Sequence, residues 1–120
     1  MILIIGGAYQ GKLAFAKTAF SVTDDQVHIC VDGELDFSKR CICNLEVFAA
    51  HHTDPVALLS AHRNTWQDSI FIMQDIFCGV VPLGQDNRAW RRNAGRLAQY
   101  LSREAAQVYR VFCGLEQRLK

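Results

Sequence analysis

The sequence predicts an α/β fold, a three-layer domain with a mainly parallel sheet between helices. Three observations carry that reading. The chain opens on an apolar run, Met1 to Ile5, of the kind found in a strand buried on both faces. A glycine-rich segment and a helical stretch follow it at once. Further on, short apolar runs alternate with longer amphipathic ones, the pattern of a parallel sheet with helices on both faces. With 120 residues, half of them hydrophobic, residues 1–120 form one domain with one core in this reading.

Strand one is Met1 to Ile5. Lys12 to Phe20 places Leu13, Phe15, Ala16, Ala19 and Phe20 close to helical spacing. Ser21 to Gln26 is a polar connection, and Val27 to Val31 is a short strand ended by Asp32-Gly33. Glu34 to Arg40 is polar and aperiodic. From Cys41 to His51, the residues Ile42, Leu45, Phe48 and Ala49 are spaced for one side of a helix. Asp54 is an N-cap and Pro55 a first helical residue, starting a helix that runs to about Trp66. Gln67 to Ser69 turns the chain into a buried strand, Ile70 to Met73. Cys78 to Gly84 is a loop, Asp86 to Ala106 the longest helix and Val108 to Cys113 the last strand. Gly114 then opens a basic tail.

Thirteen basic residues balance twelve acidic ones, so no net field draws nucleic acid or anionic lipid. No apolar run is long enough to span a bilayer, and Met1 already lies in a strand rather than a leader peptide. Five cysteines with no C-x-x-C pair argue against a disulfide framework. Cys30, Cys43, Cys78 and Cys113 read as small core residues in a reducing cytoplasm. Cys41 and Cys43 share a side if they lie on a strand and diverge if on a helix.

The most informative segment is Gly6-Gly7-Ala8-Tyr9-Gln10-Gly11-Lys12, a Gly-x-x-x-x-Gly-Lys phosphate-binding loop between a first strand and a first helix. Glycines let successive N–H groups converge on an anion, and the helix N-terminus adds its dipole. Lys12 reaches the outer phosphates in this reading; the bland alternative is a turn that binds nothing. The next residue should carry a hydroxyl for Mg²⁺ but is Leu13. Asp32 and Asp75, each just after a strand, are the remaining candidates to hold a metal, or else they cap strand ends. Arg88, Arg92 and Arg96 recur every four residues, with Arg91 at the margin and Trp90, Ala94, Leu97 and Leu101 opposite. That stripe is either a solvated face or a phosphate grip. Adjacent His51 and His52 point about 100° apart on a helix and make a poor metal pair, and His62 stands alone.

Together these residues resemble the adenosylcobinamide kinase / adenosylcobinamide-phosphate guanylyltransferase family of cobalamin biosynthesis. Met1 to Lys12 is similar to that family's opening strand and Gly-Gly-Ala-x-x-Gly-Lys-Ser loop. Ile70 to Pro82 resembles its strand followed by Asn-Glu-Val-Gly-x-Gly-Ile-Val-Pro. Arg88, Arg91, Gly95 and Gln99 fit its Arg-x-Phe-Arg-Asp-x-x-Gly-x-x-Asn-Gln segment, and Val111 to Lys120 its ending. The middle, roughly Asp24 to Gln67, is shorter than in full-length members.

The resemblance implies a RecA-like P-loop fold, often trimeric, and nucleotide-dependent phosphorylation of adenosylcobinamide followed by GMP transfer through a guanylylated histidine. On that basis ATP or GTP sits on Gly6 to Leu13, with Lys12 and Asp75 serving the transfer. Arg88 and Arg91 grip phosphate or substrate, and Mg²⁺ is held by Asp75 or Asp32. The departures fall on the chemistry: Leu13 for Ser, Gln74-Asp75 for Asn-Glu, Phe77 for Gly, Arg92 for Asp and Ala98 for Asn. No histidine has a recognisable counterpart at the guanylylated position; His51 or His52 is the candidate replacement, but the shortened middle gives no register, so guanylyl transfer is not expected. The expectation is a cytoplasmic, homo-oligomeric kinase of this type with neither nucleic acid nor membrane as partner. The alternative is a nucleotide-binding module with a regulatory or assembly role.

Overall fold

The computed structural model describes residues 1–76 and 85–120, the side chains of 85–87 excepted. The loop expected at Cys78 to Gly84, the core role expected of Cys78 and the Phe77 substitution lie outside the described residues. Among the described residues the strands are β1 (Ile2–Gly6), β2 (Val27–Ile29), β3 (Cys41–Cys43), β4 (Ile70–Gln74), β5 (Gln107–Phe112) and β6 (Leu115–Arg118). The helices are α1 (Lys12–Phe20), α2 (Leu45–Ala50), α3 (Pro55–Ala61) and α4 (Gln85–Glu104).

The strands form one sheet in the order β2-β3-β4-β1-β5-β6. All pairings are parallel except β5 with β6. β1 lies between β4 and β5, in a register that runs from Ile2 beside Ile70 to Gly6 beside Gln74. The two-residue pleat period then sorts each strand onto two cores. Leu3, Ile42, Phe71, Met73 and Val108 face α2, α3 and α4 through Leu45, Phe48, Leu59, Ala94, Leu97 and Leu101. Ile4, Cys41, Cys43, Ile70, Ile72 and Val111 face the other way, against Leu13, Phe15, Ala16 and Phe20 of α1. Burying one large aliphatic side chain is worth roughly 1.5–3 kcal/mol, so both layers contribute. Trp66 is buried in the larger core with its indole N–H donating to the Leu59 carbonyl at 2.8 Å.

Most expected elements are present, with four corrections. Cys41 to His51 is not one helix: Cys41–Cys43 is a strand and the helix starts at Leu45. Asn44 makes the break by adopting φ 65, which sends the chain up out of the sheet. Ile42, Leu45, Phe48 and Ala49 all face the same core, so their spacing mimics a single amphipathic helix. The segment after Gly114 is not a tail but β6, which pairs Leu115 with Phe112 through Arg118 with Tyr109. Its side chains are all exposed, so no apolar alternation announces it. Cys113 is exposed in the turn between those strands, not core, whereas Cys41 is buried with Cys30 and Cys43. The helix from Pro55 is also shorter than expected. It ends at Ala61, and a 3₁₀ turn covers Arg63–Thr65.

Candidate functional site

The topology marks one end of the sheet before any residue role is considered. α1, which follows β1, covers one face; α4, which follows β4 in the order of elements, covers the other. β1 and β4 are neighbours. Chains that leave adjacent parallel strands toward opposite faces open a crevice at the strands' carboxyl ends, where ligands bind in open α/β sheets. The segment Gly6 to Lys12 lies over that crevice.

Its conformation follows from its residues. Gly6 ends β1 so close to β5 that a Cβ there would lie 2.4 Å from the Val111 carbonyl oxygen, a position only glycine can fill. The Asp75 N–H donates to the Gly6 carbonyl at 2.7 Å, extending the β1–β4 ladder. The chain then turns through two left-handed residues, Tyr9 at φ 57 and Gly11 at φ 94. Tyr9 is fully exposed at the tip. Gln10 ties the loop to the β5–β6 turn. Its carbonyl accepts from Gly114 N–H at 2.9 Å, and its side-chain oxygen accepts from Cys113 N–H at 2.6 Å. The first helical bond of α1 runs from Phe15 N–H to the Gly11 carbonyl at 2.9 Å. The N–H groups of the first turn thus have no partner within the helix.

Beside the loop is a cavity of about 580 Å³, lined by Ala8 to Ala14, Ile29, Cys43, Asn44, Ile72 and Gln74. Lys12 stretches back across the loop and donates from Nζ to the Gly7 carbonyl at 2.5 Å. Partial burial pulls its ammonium below the usual lysine range, and the negative charge of Glu46 works against that fall. Glu46, in the first turn of α2, is only 4% exposed. Its two carboxylate oxygens accept from the Gln74 N–H at 3.3 and 3.4 Å, and its carbonyl accepts from the Trp90 indole at 2.6 Å. Burial raises its pKa, and its own backbone N–H, the Gln74 N–H and the charge on Lys12 offset part of the rise. The Cys43 thiol is raised by its hydrogen bond to Cys41 and by burial, and stays protonated.

Of the residues singled out in the sequence, Ala8 to Leu13 line the cavity together. Asp75 is half-buried and directly follows β4 beside the loop. Asp32 is exposed in the turn after β2, where its carboxylate accepts from the Glu34 N–H at 2.9 Å. Arg88 is exposed and Arg91 half-buried on α4, and neither is in the cavity lining. Arg92 and Arg96 are exposed, while Ala94, Leu97 and Leu101 are buried, as the stripe predicts. The histidines lie elsewhere. The His51 ring is hydrogen-bonded to the Val47 carbonyl at 2.9 Å, and the His52 ring to the Gly33 carbonyl at 2.7 Å. His52 and His62 border a separate apolar pocket with Phe37 and Phe48. No cluster of three metal-ligating side chains occurs among the described residues. Sequence reasoning missed Asn44 and Glu46. A lone Glu inside the apolar run Leu45 to Ala50 was the available signal.

Comparison with known proteins gives a separate line of argument. No curated protein sequence matches the chain significantly. The profile of one family, described as cobinamide kinase / cobinamide phosphate guanyltransferase, matches residues 38–119. The matched span begins after the glycine-rich loop, so it owes nothing to Gly6 to Leu13, and it takes in β3 through β6. With that match over most of its length, and with a nucleotide-binding role in cobalamin biosynthesis as what the family implies, the chain belongs to the cobinamide kinase / cobinamide phosphate guanyltransferase family.

Proposed function

We propose that residues 1–120 form one RecA-like P-loop domain that binds ATP or GTP on Gly6 to Leu13 and transfers the terminal phosphoryl group to adenosylcobinamide. The observation that carries the reading is Lys12 reaching across a glycine-rich loop at the crevice between β1 and β4. In this account the N–H groups from Gly7 to Leu13 cradle the phosphates. Lys12 gives up the Gly7 carbonyl for the outer phosphates and neutralises the charge that develops there. Asp75 orients the acceptor hydroxyl, and Arg88 and Arg91 grip phosphate on the substrate side. Guanylyl transfer is left out, because His51 and His52 are turned to backbone carbonyls away from the cavity.

A directly coordinated Mg²⁺ does not fit the described residues of the cavity. Mg²⁺ demands hard oxygen ligands, typically carboxylates and a loop hydroxyl. The position after Lys12 is Leu13, and among the described residues the lining offers the amide side chains of Gln10, Asn44 and Gln74 and no carboxylate. Leu13 therefore favours a second reading, a nucleotide-binding module without transfer chemistry. Calorimetry with ATP and GTP, with and without Mg²⁺, tests the binding, and turnover of adenosylcobinamide tests the transfer. Lys12→Ala is expected to weaken nucleotide binding roughly tenfold to hundredfold, the loss of a charge-assisted contact. Affinity that is absent in the wild-type protein, or unchanged by Lys12→Ala, sinks the loop as a phosphate site. Binding without turnover leaves the module.

A further inference from the structure

We propose that Glu46 is a positioning residue for Lys12: its buried carboxylate keeps the half-buried ammonium charged and drawn across the loop, so that an arriving polyphosphate meets a preset cation. The polyphosphate part rests on the phosphate-loop reading above; the relation between the two side chains does not. A carboxylate 4% exposed needs compensation for the water it has lost. Among the described residues its carboxylate accepts two long hydrogen bonds from the Gln74 N–H, and its own backbone N–H adds to them; all of these donors are neutral. The positive charge acting on it is Lys12. Lys12 is itself partly desolvated, and its nitrogen is held by the Gly7 carbonyl rather than by a direct ion pair with Glu46. Geometry brings the two together: Gly6 lies beside Gln74 at the ends of β1 and β4, the Glu46 carboxylate is held on the Gln74 N–H, and the Lys12 nitrogen is held on the carbonyl of the next residue, Gly7. α1 brings Lys12 to this cluster, and β3 and the segment after β2 bring the thiols of Cys43 and Cys30. β4 and α4 bring the Gln74 N–H and the uncharged Trp90 ring.

The alternative gives the opposite sign. Were Glu46 merely a nearby negative charge, removing it would strengthen polyphosphate binding. The chain has four lysines and four glutamates, few enough to follow each by NMR. With ¹³C-labelled lysine and Lys12 assigned from Lys12→Gln, the Lys12 signal is expected to titrate below the other three. In Glu46→Gln, which keeps an oxygen for the Gln74 N–H, it is expected about one pH unit lower again. Reciprocity requires the Glu46 carboxyl to titrate higher in Lys12→Gln, so the coupling is measurable even if one variant fails to fold. Mg²⁺-free ATP affinity in Glu46→Gln is expected to fall several-fold more at a pH of about 9.5 than at about 7, because the less protected ammonium loses its proton first. An unmoved Lys12 titration overturns the proposal. So does tighter ATP binding, an equal loss at both pH values, or a loss seen only with Mg²⁺. ATP that fails to bind the wild-type protein removes the phosphate-loop reading instead, while the lysine titration still decides the pairing.

Discussion

At the level of single residues, the loop shows how little freedom a glycine position can have. Gly6 and Gly7 are neighbours, yet their surroundings differ. An added Cβ at Gly6 meets the Val111 carbonyl oxygen at 2.4 Å, a backbone atom of a central strand pair that cannot step aside. An added Cβ at Gly7 meets Gln10 Cγ at 3.5 Å, an ordinary contact with a flexible side chain. Gly6→Ala is therefore expected to cost about 2 kcal/mol or more in urea unfolding, as overpacking does, while Gly7→Ala costs under about 1 kcal/mol. Equal losses for the two would show that the β1–β5 approach is not what fixes Gly6. The sequence pattern marked both glycines as one phosphate motif and could not separate them, because the difference comes from β5, about a hundred residues away in the chain. Glu46 is hidden for the same reason. Its role depends on β4 and Lys12 converging on α2, and nothing local to Leu45 through Ala50 encodes that meeting.

Individual elements were legible where their chemistry is local. Asp54 and Pro55 announce α3, and the Asp54 carboxylate does accept from the Ala57 N–H at 3.1 Å. Asp54→Ala is expected to remove about 1 kcal/mol of stability, whereas Asp54→Asn keeps most of it, as thermal melts of the two would report. Loss of similar size in both variants would mean that the charge rather than the cap matters. α1 and α4 were legible from their apolar stripes, which meet opposite sides of the sheet. β3 and β6 were not. β3 is three residues long and runs through Asn44 into a helix whose apolar residues continue its inward face. The side chains of β6 are all exposed and it is held to β5 by backbone pairing and by Arg118 over the Tyr109 ring, so apolar periodicity carries no trace of it. Yet that hairpin turn supplies the two N–H groups that fasten Gln10. A segment read as a tail is thus a structural support of the loop.

For the molecule as a whole, the candidate site and the stability of the fold pull against each other at Glu46. Burial raises the pKa of this carboxyl above its ordinary 4.5 in the folded protein. Such a group favours the folded state while it is protonated, and the contribution is lost as pH climbs through the folded value. Once ionised, the carboxylate is poorly solvated in the native protein, a cost the unfolded chain does not bear. Glu46→Gln removes the ionisation and keeps the shape. Its melting temperature is expected to match that of the parent near pH 4 and to exceed it increasingly toward neutrality. A series of melts across that window tests this: a gap that is constant with pH, or that narrows as pH rises, would mean that Lys12 and the Gln74 N–H already compensate the charge in full. A variant that gains stability above pH 4 while its Lys12 proton becomes easier to remove would show why a carboxylate is kept there. Proteins hold strained or poorly solvated groups mainly where a site needs them, and here the destabilising charge acts on the lysine of the glycine-rich loop.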